Sequence, residues 1–167
     1  MITTYLYKDA FAVIGKAGHG PADKGPEWIQ PLWEAAGASY PEIADVCKKS
    51  GSGGLFWWGA MNDSEEQNKV WGDTGKYMAG CEADVSAAAP EGWTKWIIPA
   101  QTYLVVSASP DKYGEVFRKV MSDKTSQSPA RFTNTTLCRT ILRLWNYGSL
   151  SLPVYILSIL FHAYDQI

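Results

Sequence analysis

Apolar and polar positions change rhythm several times along this chain, and each change predicts an element. Phe11-Ala-Val-Ile14 is a short apolar run closed by Gly15 and Lys16. The stretch Gly18-His-Gly-Pro-Ala-Asp-Lys-Gly25 follows it, so the pair reads as a strand and a turn. Trp28, Ile29, Leu32, Trp33 and Ala36 then recur at helical spacing, with Pro31 setting the helix start close to itself. Ser39-Tyr-Pro-Glu42 has the form of a capping box with proline at the first helical position, and Ile43, Val46 and Cys47 carry one apolar face on to Gly51. A second helical segment is expected there.

Ser50-Gly-Ser-Gly-Gly54 breaks that pattern, and Leu55-Phe-Trp-Trp-Gly-Ala-Met61 is apolar at every position, as a strand covered on both faces would be. Asn62 to Asp73 is a polar excursion. Gly75 to Val85 alternates, with Tyr77, Ala79, Cys81, Ala83 and Val85 on one face and Met78, Gly80, Glu82 and Asp84 on the other. Trp93 to Ile98 and Gln101 to Ala108 are extended runs separated by Pro99. Ser109-Pro110 opens a helix with Tyr113, Val116, Phe117 and Val120 on one face. The order is strand, helix, strand, strand, then strand and helix again. It predicts an α+β fold built from a duplicated β-α-β-β unit, with an antiparallel-rich sheet, helices on one face and a groove between the halves.

The second copy needs two more strands, which only the tail can supply. Charge divides the chain at the same place: residues 1–123 hold sixteen of the seventeen acids, while 124–167 hold Asp165 against four bases. We therefore expect a domain over 1–123 and an atypical segment over 124–167 that completes it. Leu150 to Leu160 has the β-branched and aromatic content of a strand, with Pro153 at its start or on an edge. Thr136 to Trp145 fits a strand or a helix equally well.

Composition narrows the function. The formal net charge of −2 lacks the basic excess that phosphate-backbone binding requires, so nucleic acid is not an expected direct partner. The run Leu150 to Tyr164 is too short for a bilayer span, and Met1 to Lys16 has no secretory pattern. Three cysteines make no disulfide framework and suit reduced thiols in a cytoplasmic protein. His19 and His162 have no partner at metal-ligand spacing, and no dinucleotide or phosphate loop occurs, so no metal or cofactor is expected. The marked feature is the aromatic share of 13%, eight of those residues being Trp. Such rings fill a core or line a pocket.

Five segments in order carry a resemblance: Phe11-Ala-Val-Ile-Gly-Lys16, Trp28-Ile-Gln-Pro-Leu-Trp33, Trp58-Gly-Ala-Met-Asn-Asp63, Gly75-Lys-Tyr-Met-Ala-Gly-Cys-Glu82, and the run from Pro90 to Tyr103. Over residues 11–121 the chain resembles the GyrI-like effector-binding domain, also found in AraC-type and multidrug-responsive regulators. The resemblance implies a free-standing protein that binds a bulky aromatic or cationic lipophilic compound, to sense or sequester it. It also implies an alternative, a hydrolase of cyclopropanoid DNA-alkylating natural products. Members of the family end the second half on a strand with a Glu beside an aromatic. Residues 124–167 contain no glutamate, which puts any acid-dependent activity in doubt and leaves open whether the chain is an enzyme. A pocket for a lipophilic cation needs aromatic faces and a poorly screened carboxylate. The candidates are Trp33, Trp58, Tyr77, Trp93, Trp96 and Tyr103 for the rings and Glu82 for the charge.

Overall fold

The computed structural model describes residues 3–49, 51, 53–65, 71–108, 115, 136–144 and 155–162. Among them the regular elements are strands β1 (Thr3–Lys8), β2 (Phe11–Pro21), β3 (Trp57–Asp63), β4 (Thr74–Ala83), β5 (Thr94–Ile98), β6 (Gln101–Ala108), β7 (Thr136–Leu144) and β8 (Tyr155–His162), and helix α1 (Gly25–Ala38). All eight strands join one sheet in the order β1-β6-β8-β7-β3-β4-β2-β5, every pairing antiparallel.

The duplication is visible in that order. β2-β4-β3 is mirrored by β6-β8-β7: in each triple the third strand of the unit lies between its first two, and the units meet where β3 pairs with β7. The fold is α+β, as the strand and helix pattern requires. The helix expected after Ser109-Pro110 lies outside the described residues, as does Pro153. Thr136–Leu144, which fitted either state, is a strand.

A further strand precedes each unit: β5 answers to the extended run read at Trp93 to Ile98, whereas the hydrophobic pattern did not announce β1. β1 pairs with β6 and β5 pairs with β2, so each extra strand lies against the opposite unit. Only Asp9-Ala10 joins β1 to β2, and only Pro99-Ala100 joins β5 to β6, yet the joined strands stand six places apart in the sheet. Six strand spacings across a flat sheet come to roughly 29 Å, whereas two intervening residues reach at most about 11 Å. The sheet therefore curls until its ends meet. The register agrees, because Thr3 opposite Val106, Lys8 opposite Gln101, Phe11 opposite Ile98 and Gly15 opposite Thr94 continue one antiparallel ribbon through both links.

Helix α1 covers one face of the first half, where Ala12, Ile14, Tyr77, Ala79, Cys81 and Ala83 are buried beneath Trp28, Ile29, Leu32 and Trp33. This packing changes three local expectations. β2 runs on through Gly18 and Gly20 to Pro21 instead of turning after Lys16, because the bare backbone there seats the helix side chains. A Cβ on Gly20 would lie 2.6 Å from the Trp28 ring. The helix begins at Gly25, six residues before Pro31; that proline removes a single intrahelical bond while flanking apolar residues pin both turns to the sheet. Residues after Ser39 form only a 3₁₀ turn (Tyr40–Glu42) and a further turn, and Ser39 makes no side-chain cap. Cys47 pairs instead with Ala83 across an isolated bridge, since the end of β4 leaves backbone groups that an extended segment can satisfy and a helix cannot.

On the other face Phe11, Val13, Trp58, Ala60, Met78 and Ile98 are buried, with Phe56 and Trp96 packed against them. At the middle of this face β2 and β4 approach so closely at Gly15 and Gly80 that a Cβ on Gly15 would stand 2.3 Å from the Ala79 carbonyl oxygen. Gly15→Ala should accordingly destabilise the protein by about 1–3 kcal/mol in urea unfolding. Gly37→Ala, in an exposed helical position where a Cβ meets nothing within 4 Å, should instead stabilise it by roughly 0.5 kcal/mol.

Candidate ligand-binding site

Glu82 stands near the end of β4 with its backbone fixed on both sides. Its N–H donates to the Phe56 carbonyl at 2.8 Å, and its own carbonyl accepts the Lys48 N–H at 2.7 Å. Strand alternation turns its side chain away from α1, among Phe11, Val13, Trp58 and Met78, where the residue is 5% exposed. A carboxylate removed from water to this extent requires donors, and three converge on it. Trp58 Nε1 donates to Oε2 at 3.0 Å; Lys8 Nζ at 2.9 Å and Lys48 Nζ at 3.2 Å both donate to Oε1. One negative charge thus faces two positive ones.

The rings beside the carboxylate are Phe11 and Trp58, tilted by 42° with centroids 4.9 Å apart, and Trp96 packs into the same cluster. The Lys8 ammonium lies 4.5 Å from the Phe11 centroid and 5.9 Å from that of Trp58, within cation–π range of both. Lys8 belongs to β1, in the other half of the sheet, so the curl brings it here.

The remaining candidates separate by face. Trp33 of α1 donates through Nε1 to the Tyr77 hydroxyl at 3.2 Å, and both join the helix-side cluster with the stacked pair Trp28 and Trp71. Trp93 donates to Glu42 Oε2 at 2.8 Å, and Lys16 Nζ stands 4.0 Å above its ring. Trp33, Tyr77 and Trp93 therefore belong to the helix-side cluster, and Trp58, Trp96 and Glu82 to the opposite face. Tyr103 sits on β6 opposite Leu6 and Leu160, and its side chain lies outside the described residues. The split follows from period two: Tyr77 and Glu82 are five residues apart on one strand and cannot share a face. Sequence reasoning did not single out Lys8, Lys48 or Phe11 for the site. Phe11 was accessible by its alternation with Val13, whereas no local signal marked either lysine.

Cys47 and Cys81 are free thiols buried on the helix side. Hydrogen bonding between them lowers the Cys47 thiol below its ordinary value, while the same bond and burial push Cys81 well above it. Among the described residues no three His, Cys, Asp or Glu side chains gather to hold a metal, and His19 is exposed on β2. Of the two thiols, Cys47 should be alkylated first by iodoacetamide under native conditions at mildly alkaline pH, with Cys81 modified only on unfolding; peptide mass spectrometry reads the order. Trp58→Phe removes one donor from the buried carboxylate and should cost about 1–3 kcal/mol of stability in denaturant titration followed by circular dichroism.

No family model matches the sequence, and no curated protein matches it. Solved structures do. SAV2435 bound to tetraphenylphosphonium is similar over 97% of this chain and 94% of its own, with a TM-score of 0.67 at 12% identity. An integron cassette protein from the mobile metagenome of Vibrio cholerae covers 96% of this chain and 95% of its own, with a TM-score of 0.60 at 15% identity. A Staphylococcus aureus MU50 protein assigned to bacterial transcription regulation covers 95% and 98%, with a TM-score of 0.59 at 13% identity. At such identities the likeness is one of fold. Among the described residues no helix is long and apolar enough to cross a membrane.

Proposed function

We propose that this chain is a GyrI-like small-molecule-binding protein that takes up bulky aromatic or cationic lipophilic compounds at the Glu82 face, to sense or sequester them. The observation that carries this reading is a buried carboxylate set against the tilted rings of Phe11 and Trp58, with Trp96 in the same cluster. That combination supplies a fixed negative group in a weakly screening environment and flat apolar surfaces beside it, the two requirements of a lipophilic cation. A protein of the same fold has been solved with such a cation bound. Tyr103, on β6, stays among the ligand-binding residues we propose. Trp33, Tyr77 and Trp93 act from behind, holding the sheet against α1. Free Cys47 and Cys81 suit a reducing compartment, and we place the protein in the cytoplasm.

Hydrolysis is the weaker alternative. Both oxygens of Glu82 already accept bonds, two of them from ammonium groups. A water could reach this carboxylate only by displacing one of those donors, so the geometry does not hold a nucleophile in place.

Tetraphenylphosphonium titrated into the protein should quench the tryptophan fluorescence saturably, at concentrations on the order of micromolar, corresponding to about 8 kcal/mol. Glu82→Gln should weaken that cation far more than neutral triphenylphosphine oxide, because it removes the negative charge that faces the two lysines. Absence of saturable quenching across a panel of dissimilar cations and neutral aryl compounds would sink the reading, and equal weakening of both probes by Glu82→Gln would reassign Glu82 to structure.

A further inference from the structure

Taking the Glu82 face as the binding site, we infer that Lys8 fills its cation subsite as a tethered competitor, which an entering cation must displace. The ammonium meets each requirement that a bound lipophilic cation would have. It is 2.9 Å from the Glu82 carboxylate, 4.5 Å from the Phe11 centroid and 5.9 Å from that of Trp58. The ring pair, the carboxylate and Nζ thus form a closed set in which the guest is part of the protein. Lys48 differs. It reaches the same oxygen at 3.2 Å, but its side chain is 46% exposed against 26% for Lys8, and among the described residues no ring lies within cation–π range of it. Lys48 screens the charge, whereas Lys8 occupies the place.

The position of Lys8 in the chain suits a displaceable group. It is the last residue of β1, whose one partner strand among the described residues is β6, and Asp9-Ala10 separates it from Phe11. Its flexible stem can carry the ammonium into solvent without moving the ribbon. Displacement exchanges one cation on the rings for another, so binding of monocations is weakened by the occupancy of Lys8. Compounds that offer a larger aromatic surface than an ammonium gain the advantage. The lysine thereby acts as a selectivity filter against small, strongly hydrated cations, which cannot recover by stacking what the lysine loses.

The test compares Lys8→Ala, Lys8→Arg and Lys48→Ala in the full chain, by fluorescence and calorimetric titration with tetraphenylphosphonium and triphenylphosphine oxide, each variant first checked by its thermal melt. Lys8→Ala should bind the cation about tenfold more tightly, the size of one cation–π site vacated. It should also gain for the neutral probe, since ring surface is freed. Lys8→Arg keeps a cation on the carboxylate and should bind no better than the unaltered protein. Lys48→Ala should gain less than about threefold, for the cation alone, as expected of a half-exposed pair. Binding that appears only in Lys8→Ala would make the lysine a block that no cation displaces and would sink both the inference and the proposed function. If the unaltered protein binds and Lys8→Ala does not improve on it, or Lys48→Ala matches its gain, the competitor role is wrong while the binding site stands. If neither the unaltered protein nor Lys8→Ala binds either probe, the inference falls together with the proposed function.

Discussion

A carboxylate held out of water organises this molecule. Glu82 is tolerable at 5% exposure only because an indole N–H and two ammonium groups reach it from three separate segments: β3, the link after α1, and β1. Each segment arrives for its own reason. Trp58 is placed by the pairing of β3 with β4, Lys48 by the backbone bond that lays residues 47–49 along the end of β4, and Lys8 by the ribbon that ties the sheet's two ends. Loss of any one partner would leave buried charge less compensated, which is costlier than the absence of the whole group.

The curl of the sheet makes that convergence possible. In a flat eight-stranded sheet β1 and β4 would stand five places apart, and Lys8 could not touch Glu82. Because the ribbon of residues 3–15 and 94–106 keeps one register across both two-residue links, the strand that precedes each unit pairs with the other unit. The pairing of β3 with β7 then joins the two units into one sheet. At Gly15 and Gly80 backbone rather than side chain fills the space between β2 and β4.

Division of labour between the two faces follows. The helix side spends its aromatic residues on internal hydrogen bonds, Trp33 to Tyr77 and Trp93 to Glu42, and on the Trp28–Trp71 stack over Gly20 and Gly75. The other side concentrates charge next to rings. The abundance of tryptophan therefore has two explanations in one protein, a core one and a site one, and composition alone could not apportion them.

Much of this was present in the sequence. Alternation along β4 put Tyr77, Ala79 and Cys81 on one face and Met78, Gly80 and Glu82 on the other, because side-chain direction in a strand is a local property with period two. The order of strands and helix, and with it the duplicated unit, came from the same local periodicities. Tertiary structure decided the rest. Gly18 and Gly20 read as a turn until Leu32 and Trp28 are seen lying over them, and residues 43–47 read as a helix until the unpaired end of β4 claims their backbone. β1 went unannounced, and with it Lys8. No local pattern records that a lysine three residues before β2 will meet a glutamate 74 positions later, because that contact exists only once the sheet has curled and a buried charge has to be compensated.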